Sequence, residues 1–119
     1  MAAEKNFENR LKKFLEDEGC WFVKFFANAY TKSGIPDLLV CCNGYFVAIE
    51  VKAPNGRPSE LQKRNVREIN ECCGIGVVLY PSQFDDFKEL IKWLKADVYN
   101  NPFENAVDIV HKINERWDK

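Results

Sequence analysis

The fold is decided by residues 34–52, whose sequence is GIPDLLVCCNGYFVAIEVK. Two apolar runs, at residues 37–42 and 45–51, flank the dipeptide Asn43-Gly44. An Asn-Gly dipeptide between two apolar runs is the strongest short-range signal of a β-hairpin with a two-residue turn. The stretch therefore predicts two antiparallel strands that meet at Asn43-Gly44.

This hairpin would place three charged side chains on one face. Paired positions lie symmetrically about Asn43-Gly44, so Asp37 at the start of one strand should lie directly opposite Glu50 near the end of the other. Their Cβ atoms would then be about 5 Å apart. Alternation along the strand puts Lys52 on the same face. Two carboxylates so close repel each other unless a cation or a shared proton lies between them, which predicts a divalent-cation site.

The predicted site has the chemistry of metal-assisted phosphoryl transfer. Carboxylate oxygens suit Mg²⁺ or Mn²⁺ rather than zinc, and two carboxylates leave open positions on the cation. The Lys52 ammonium could orient a water or stabilise developing charge. The alternative is that Glu50 and Lys52 are ordinary polar residues at a strand end, with the lysine offsetting the carboxylates. Residues 46–49 favour the site, because an apolar run buried on both faces makes an unusual approach to a charge.

The flanking sequence predicts a single α/β domain over residues 1–119. We expect a mixed four-stranded sheet flanked by helices, in the order α-β-β-β-α-β, followed by C-terminal helices. Ser59 and Gln62 form a capping-box pattern ahead of the crossover helix. The core should span about residues 4–96, with a helical extension at about 97–119. The helices are expected at about 4–18, 59–73, 83–95 and 103–117, and the outer strands at 21–27 and 76–80.

Composition favours a globular protein with one filled core. The chain has 119 residues, of which 46% are hydrophobic and 13% aromatic, so its Trp, Tyr and Phe side chains should supply large buried surfaces. A formal net charge of −1 is not the profile of a strongly basic protein that coats DNA. That charge is compatible with a nuclease, because a bound cation would neutralise part of the acidic total.

The cysteines predict an intracellular protein with free thiols. There are five of them, an odd number, and no C-x-x-C spacing occurs that would indicate zinc. Free thiols are typical of a reducing compartment, and the N-terminus lacks the apolar region of a signal peptide. No apolar run approaches the roughly 20 residues of a membrane-spanning helix. We therefore expect a cytoplasmic protein without a membrane partner.

Three segments together resemble a known nuclease superfamily. Residues 34–37 (G-I-P-D), residues 50–52 (E-V-K) and Gln62 resemble the PD-(D/E)xK nucleases. Within these the chain is most similar to the virus-type replication-repair nuclease (VRR-NUC) domain in its stand-alone phage form, and archaeal Holliday-junction resolvases are more distant relatives. The resemblance covers about residues 7–80 and implies a restriction-endonuclease-like core.

The resemblance also implies a function. The expected activity is that of a Mg²⁺-dependent DNA endonuclease, with Mn²⁺ also supporting it, that acts on branched or junction DNA in phage or repair processing. It would leave 5′-phosphate and 3′-hydroxyl products. The family implies a homodimer without a small-molecule cofactor, encoded by a phage and acting in a bacterial host.

Individual roles follow at the matching positions. By resemblance, Asp37 and Glu50 are metal ligands and the Val51 carbonyl is a backbone ligand. Lys52 would position or activate the attacking water. Further site residues by resemblance are Glu8, which would assist metal or water binding, Gln62, which would orient the site, and Lys24, a lysine of the first strand. From the sequence alone, Glu8 could reach into a cleft or be a solvated charge on its helix, and Lys24 fits a solvated charge equally well. Gln62 alone is a capping residue, a role that need not be compatible with one in the site.

The basic residues near the motifs are candidates for contact with DNA phosphates. They equally fit a solvated surface of helices and loops. The single histidine, His111, lies far from the motifs in sequence and is expected at the surface rather than as a general base. The candidate DNA-binding residues are Lys24, Lys32, Arg57, Lys63, Arg64 and Arg67.

Two other functions stay open at this point. One is a catalytically silent nucleic-acid-binding or assembly module on a nuclease-like fold, although such a module has no need for paired carboxylates. The other is a hydrolase of RNA or nucleotides with the same centre.

Overall fold

The computed structural model describes residues 2–118, except for the side chain of Val98. The order of elements confirms the predicted α/β fold and its mixed four-stranded sheet. Short 3-10 turns at Pro81–Gln83 and Val98–Asn100 precede the last two helices. The elements are α1 (Ala2–Asp17), β1 (Trp21–Lys24), β2 (Leu38–Cys42), β3 (Tyr45–Val51), α2 (Glu60–Glu71), β4 (Ile75–Leu79), α3 (Phe84–Leu94) and α4 (Pro102–Asn114).

The hairpin has the predicted register. Strands follow the order β1-β2-β3-β4, with antiparallel pairing up to β3 and parallel pairing of β3 with β4. Asn43 and Gly44 have φ values of 50° and 86°, the positive angles that a tight type I′ turn requires. β2 begins at Leu38, one residue later than predicted, and Leu38 pairs with Ile49. The same register carried one residue further places Asp37 opposite Glu50.

The two faces of the sheet are covered unequally. On one face, α1, α3 and α4 bury the largest core cluster, which includes Leu11, Ile49 and Leu90. On the other face, Val66 of α2 packs with Val78, Tyr80 and Trp117. The second cluster is small because α2 packs mainly over β4, and the β1 end of this face is left open to solvent.

Part of the aromatic content therefore lies at the surface, contrary to the prediction that it would be buried. Trp21, Phe26 and Tyr30 are exposed by 64%, 76% and 98%. The predicted strand 21–27 also ends early, at Lys24. β1 is an edge strand that packs on one side only, so Phe22 contacts the core while Trp21 faces away from it.

The C-terminal helix closes the free edge of β4. The Asn114 side chain accepts a hydrogen bond from Val78 N at 3.2 Å and donates one to Gly76 O at 2.9 Å. Asn70 of α2 bonds both backbone groups of Gly76 at 2.8 and 2.9 Å. These side chains satisfy an edge that would otherwise present unpaired backbone groups. Ala106 and Ile113 of the same helix belong to the main core cluster.

Among the described residues, no helix combines the length and the apolar character needed to cross a bilayer.

All five cysteines are free thiols, and burial with a hydrogen bond to Cys20 raises the pKa of Cys42 to about 12.

Gly34 is needed where the loop that carries Asp37 crosses α2. Its φ is +77°, and a Cβ there would lie 2.7 Å from the carbonyl carbon of Leu61. We expect Gly34→Ala to lower the free energy of unfolding by about 3 kcal/mol, from backbone strain plus overlap with a backbone that cannot yield. Gly19→Ala is the matched control, because Gly19 has φ +74° with no atom within 4 Å of an added Cβ, and should cost about 1 kcal/mol. Urea denaturation measures both, and equal losses would contradict the prediction.

Candidate active site

The hairpin brings Asp37, Glu50 and Lys52 together as predicted. Asp37 Oδ2 accepts a hydrogen bond from Val51 N at 2.9 Å, which fixes its carboxylate against β3. Glu50 is only 2% exposed, and its Oε2 lies 3.3 Å from Lys52 Nζ. The strand positions these groups, because Glu50 and Lys52 are two residues apart and share a face.

Glu50 carries the strongest electrostatic perturbation of the site. Burial raises the pKa of Glu50 to about 8, and the neighbouring Asp37 carboxylate adds to the increase, while Lys52 opposes it. Its Oε1 is buried without a hydrogen-bond partner among the described residues. A buried carboxylate oxygen without a partner is costly, so the pocket is suited to a positive ion at this point.

Gln62 serves as a helix cap and as a site residue at the same time. Its Oε1 accepts a hydrogen bond from Ser59 N at 2.8 Å, and Ser59 Oγ accepts one from Gln62 N at 3.1 Å. Its Nε2 donates to Glu50 Oε2 at 3.1 Å. The amide oxygen caps the helix and the amide nitrogen contacts Glu50, so the capping role and the site role of Gln62 are compatible.

Lys24 links α1 to the hairpin. Its Nζ donates to Glu8 Oε1 at 2.7 Å and to Asp37 Oδ1 at 3.3 Å. Glu8 is 4% exposed, and Lys12 Nζ lies 3.1 Å from its second oxygen. The solvated-charge alternative for Glu8 and Lys24 is therefore wrong, because the packing of α1 beside β1 buries Glu8 and leaves Lys24 partly buried against it.

Both members of this pair are held in their charged forms. Burial would raise the pKa of Glu8, but the hydrogen bond from Lys24 and the positive charge of Lys12, whose Nζ lies 3.1 Å from Oε2, outweigh it and the pKa is lowered. Burial would lower the pKa of Lys24, but its contacts with Glu8 and Asp37 outweigh it and the pKa is raised. Glu8 therefore positions the Lys24 ammonium beside Asp37, and its role as a metal ligand stays a prediction.

The described part of the chain brings too few potential ligand side chains together to form a complete metal site. Among residues 2–118, no three His, Cys, Asp or Glu side chains form a group that could hold a metal ion. The reason is visible in the geometry, because the Lys24 ammonium lies between Glu8 and Asp37. The candidate site offers two carboxylates, and any further ligand must come from the backbone, water or substrate.

The candidate DNA-binding residues differ in their surroundings. Lys24 is at the site, and Arg57 and Lys63 line one cavity beside it. Lys32 and Arg64 both pair with Glu68, at 3.7 and 3.0 Å, and Arg67 pairs with Asp118 at 2.8 Å. His111 is exposed on α4, as expected.

Lys12 and Arg116 were not predicted from the sequence to lie near the site. Lys12 contacts Glu8, and its position four residues later in the same helix was the available signal. Arg116 Nη2 donates to Pro54 O at 2.8 Å, a contact between residues 62 positions apart in sequence that no local sequence pattern predicts.

Removing the Lys24 charge should destabilise the fold. We expect Lys24→Met to lower the free energy of unfolding by about 2–3 kcal/mol, because it leaves a buried Glu8 carboxylate without its shortest hydrogen bond. The double variant with Glu8→Gln should recover part of this loss. Urea denaturation of the two single variants and the double variant measures the coupling, and additive losses would show that the pair is not coupled.

Comparison with known proteins gives one family. The sequence model described as archaeal Holliday junction resolvase (Hjc) matches residues 2–73, more than half of the chain. The matched segment runs from α1 through α2 and includes Asp37, Glu50 and Lys52. No curated protein and no solved structure matches the chain. The match is thus to the resolvases, which were expected to be more distant relatives, and not to the VRR-NUC domain. The chain belongs to the archaeal Holliday junction resolvase family, a family of nucleases.

Proposed function

We propose that this protein is a metal-dependent endonuclease that hydrolyses phosphodiester bonds in branched DNA. The observation that carries the proposal is the buried Glu50 carboxylate, with one oxygen unpartnered, facing Asp37 and lying 3.3 Å from Lys52. Membership of the resolvase family supports a junction as the substrate. The position of Asp37, Glu50 and Lys52 on one hairpin supports the PD-(D/E)xK type.

Asp37, Glu50 and the Val51 carbonyl would hold Mg²⁺, with Mn²⁺ as a substitute. The fit rests on hard oxygen ligands and on Glu50 Oε1, which lacks a partner among the described residues. When bound, the cation would neutralise the carboxylates, polarise the scissile phosphate and lower the pKa of a water.

The chain's own residues hold the carboxylates in place. Val51 N and Lys24 Nζ hold the two oxygens of Asp37, at 2.9 and 3.3 Å. Gln62 and Lys52 hold Glu50 Oε2, while Oε1 has no hydrogen-bond partner among the described residues. Such preorganisation avoids reorganisation when charge develops. The Lys52 ammonium then orients the attacking water and stabilises negative charge on the phosphate.

The test is a cleavage panel. Supercoiled, linear, single-stranded and four-way-junction DNA, together with an RNA duplex, are incubated with the protein in Mg²⁺ or in EDTA. We expect the junction to be cut fastest, only with Mg²⁺, leaving 5′-phosphate ends. Cleavage that continues in EDTA would refute the metal-dependent mechanism, and faster cleavage of RNA would refute DNA as the substrate.

A silent binding module is the second candidate, favoured by the Lys24 ammonium, which already lies 3.3 Å from Asp37 Oδ1. Calorimetry with Mn²⁺ distinguishes the two candidates. Heat of binding that Glu50→Gln abolishes supports the nuclease, and absence of any binding supports the silent module.

We also propose a homodimer, because resolving a four-way junction needs two cuts and the described residues of one chain form one such site. The surface proposed for it is the open face at β1, where Trp21, Cys41 and Phe46 form one row across three strands. Trp21 and Phe46 are exposed by 64% and 47%, and an apolar row suits a protein partner better than phosphates. Analytical ultracentrifugation should show a dimer that Trp21→Lys dissociates, and a monomeric wild type would refute it.

The finer assignment to a stand-alone, phage-type VRR-NUC nuclease remains part of this proposal. It is supported by the order of residues 34–37, residues 50–52 and Gln62.

A further inference from the structure

A basic cavity lies beside the candidate active site, on the far side of the loop that follows Lys52. Its volume is about 720 Å³, and it is lined by residues 54–58, the start of α2, the end of β4 and the C-terminal turn. Three lining residues are cationic, Arg57, Lys63 and Arg116, and one is acidic, Glu60. The excess of positive charge makes the cavity suited to an anion.

Arg116 is fixed in this cavity by three contacts. Its guanidinium carbon lies 3.4 Å from the centroid of the Tyr80 ring. Its Nη2 donates to Pro54 O at 2.8 Å, and its Nη1 donates to Ser82 Oγ at 3.4 Å. A guanidinium has five N–H donors, so most of them remain for a ligand. A planar, preorganised arginine is well matched to a phosphate group.

The loop between the cavity and the site is also held. Tyr80 Oη donates to Gly56 O at 2.8 Å, which ties the loop to the end of β4. A Cβ at Gly56 would lie 3.3 Å from Lys52 Cδ, so the loop packs on the stem of the site lysine. The loop that lines the cavity therefore also contacts the site lysine.

We infer that this cavity binds a backbone phosphate of the nucleic-acid strand, next to the phosphate that is cut. The inference rests on the proposed nuclease function and assigns the C-terminal turn a part in holding substrate. The Lys63 side chain is 24% exposed, with its Nζ 3.2 Å from Glu60 Oε1, and Arg57 is exposed where it lines the cavity, so both cations are accessible to a ligand.

The experiment measures binding of a four-way junction in EDTA, by fluorescence anisotropy over a range of salt concentrations. Arg57→Gln and Arg116→Gln should each weaken binding about tenfold and reduce the salt slope by about one. Lys112→Gln is the control, since it removes the same charge from an exposed position on α4 that pairs with Asp86. Arg116→Lys should keep the wild-type salt slope. Thermal melts followed by circular dichroism show whether the Arg116 variants fold.

Each outcome decides the inference. If Arg57→Gln and Arg116→Gln bind like Lys112→Gln while the wild type cuts DNA, the cavity proposal fails and the nuclease stands. If Arg116→Gln unfolds, Arg57→Gln and Arg116→Lys still decide. If the wild type neither binds nor cuts any DNA, both proposals fail.

Discussion

Glu50→Gln is expected to lower the rate of junction cleavage about a thousandfold, and Asp37→Asn to have a similar effect. An amide has nearly the size of the carboxylate but carries no negative charge, so it would bind the proposed cation much more weakly. The pairing of these two side chains, with Asp37 Oδ2 held by Val51 N at 2.9 Å, makes each necessary. Single-turnover cleavage assays in saturating Mg²⁺ give the rate.

Two controls separate chemistry from binding. Glu71→Gln, at the exposed end of α2, removes the same charge away from the site and should cleave like the wild type. Junction affinity in EDTA at pH 7 should be nearly equal for Glu50→Gln and the wild type, because burial keeps Glu50 mostly protonated without metal and the substitution removes little charge. A Glu50→Gln variant that keeps more than a tenth of the wild-type rate would contradict the assignment.

Without metal, the stability of the protein should fall as pH rises from about 4.5 to 8. Burial and the Asp37 carboxylate raise the pKa of Glu50 to about 8 from 4.5, so the folded state binds the proton more tightly than the unfolded state does. The stabilisation that protonated Glu50 gives is fully present below the pKa of Glu50 in the unfolded state. It is lost as the pH rises through the pKa of Glu50 in the folded state. The loss is on the order of 3–5 kcal/mol.

Comparison with Glu50→Gln isolates this effect from the other titrating groups. Glu8, whose pKa is lowered, contributes in the opposite direction, with stability gained as pH rises through the acid range. Urea denaturation in EDTA at pH 5 and pH 8 should give a wild-type decrease that Glu50→Gln lacks. Mg²⁺ should remove the decrease and release about one proton on binding at pH 7. An identical pH dependence in the two proteins would refute a raised Glu50 pKa.

Local signals predicted the centre of the site because each acts over a few residues. The Asn43-Gly44 turn determined the register, and alternation along β3 placed Glu50 and Lys52 on one face. The capping box at Ser59 and Gln62 was also local, and it was observed with both of its hydrogen bonds. What local signals did not predict was the second bond of Gln62, to Glu50, because it depends on how α2 crosses the sheet.

The sequence by itself determined the hairpin, and with it the pairing of Asp37 with Glu50 and the position of Lys52. Only the tertiary structure decided the environment of those groups. The packing of α1 on the sheet buried Glu8 with Lys24, and the C-terminal turn brought Arg116 to Pro54. A turn or a cap forms between residues a few positions apart, whereas burial and long-range ion pairs depend on which surfaces meet after the elements assemble.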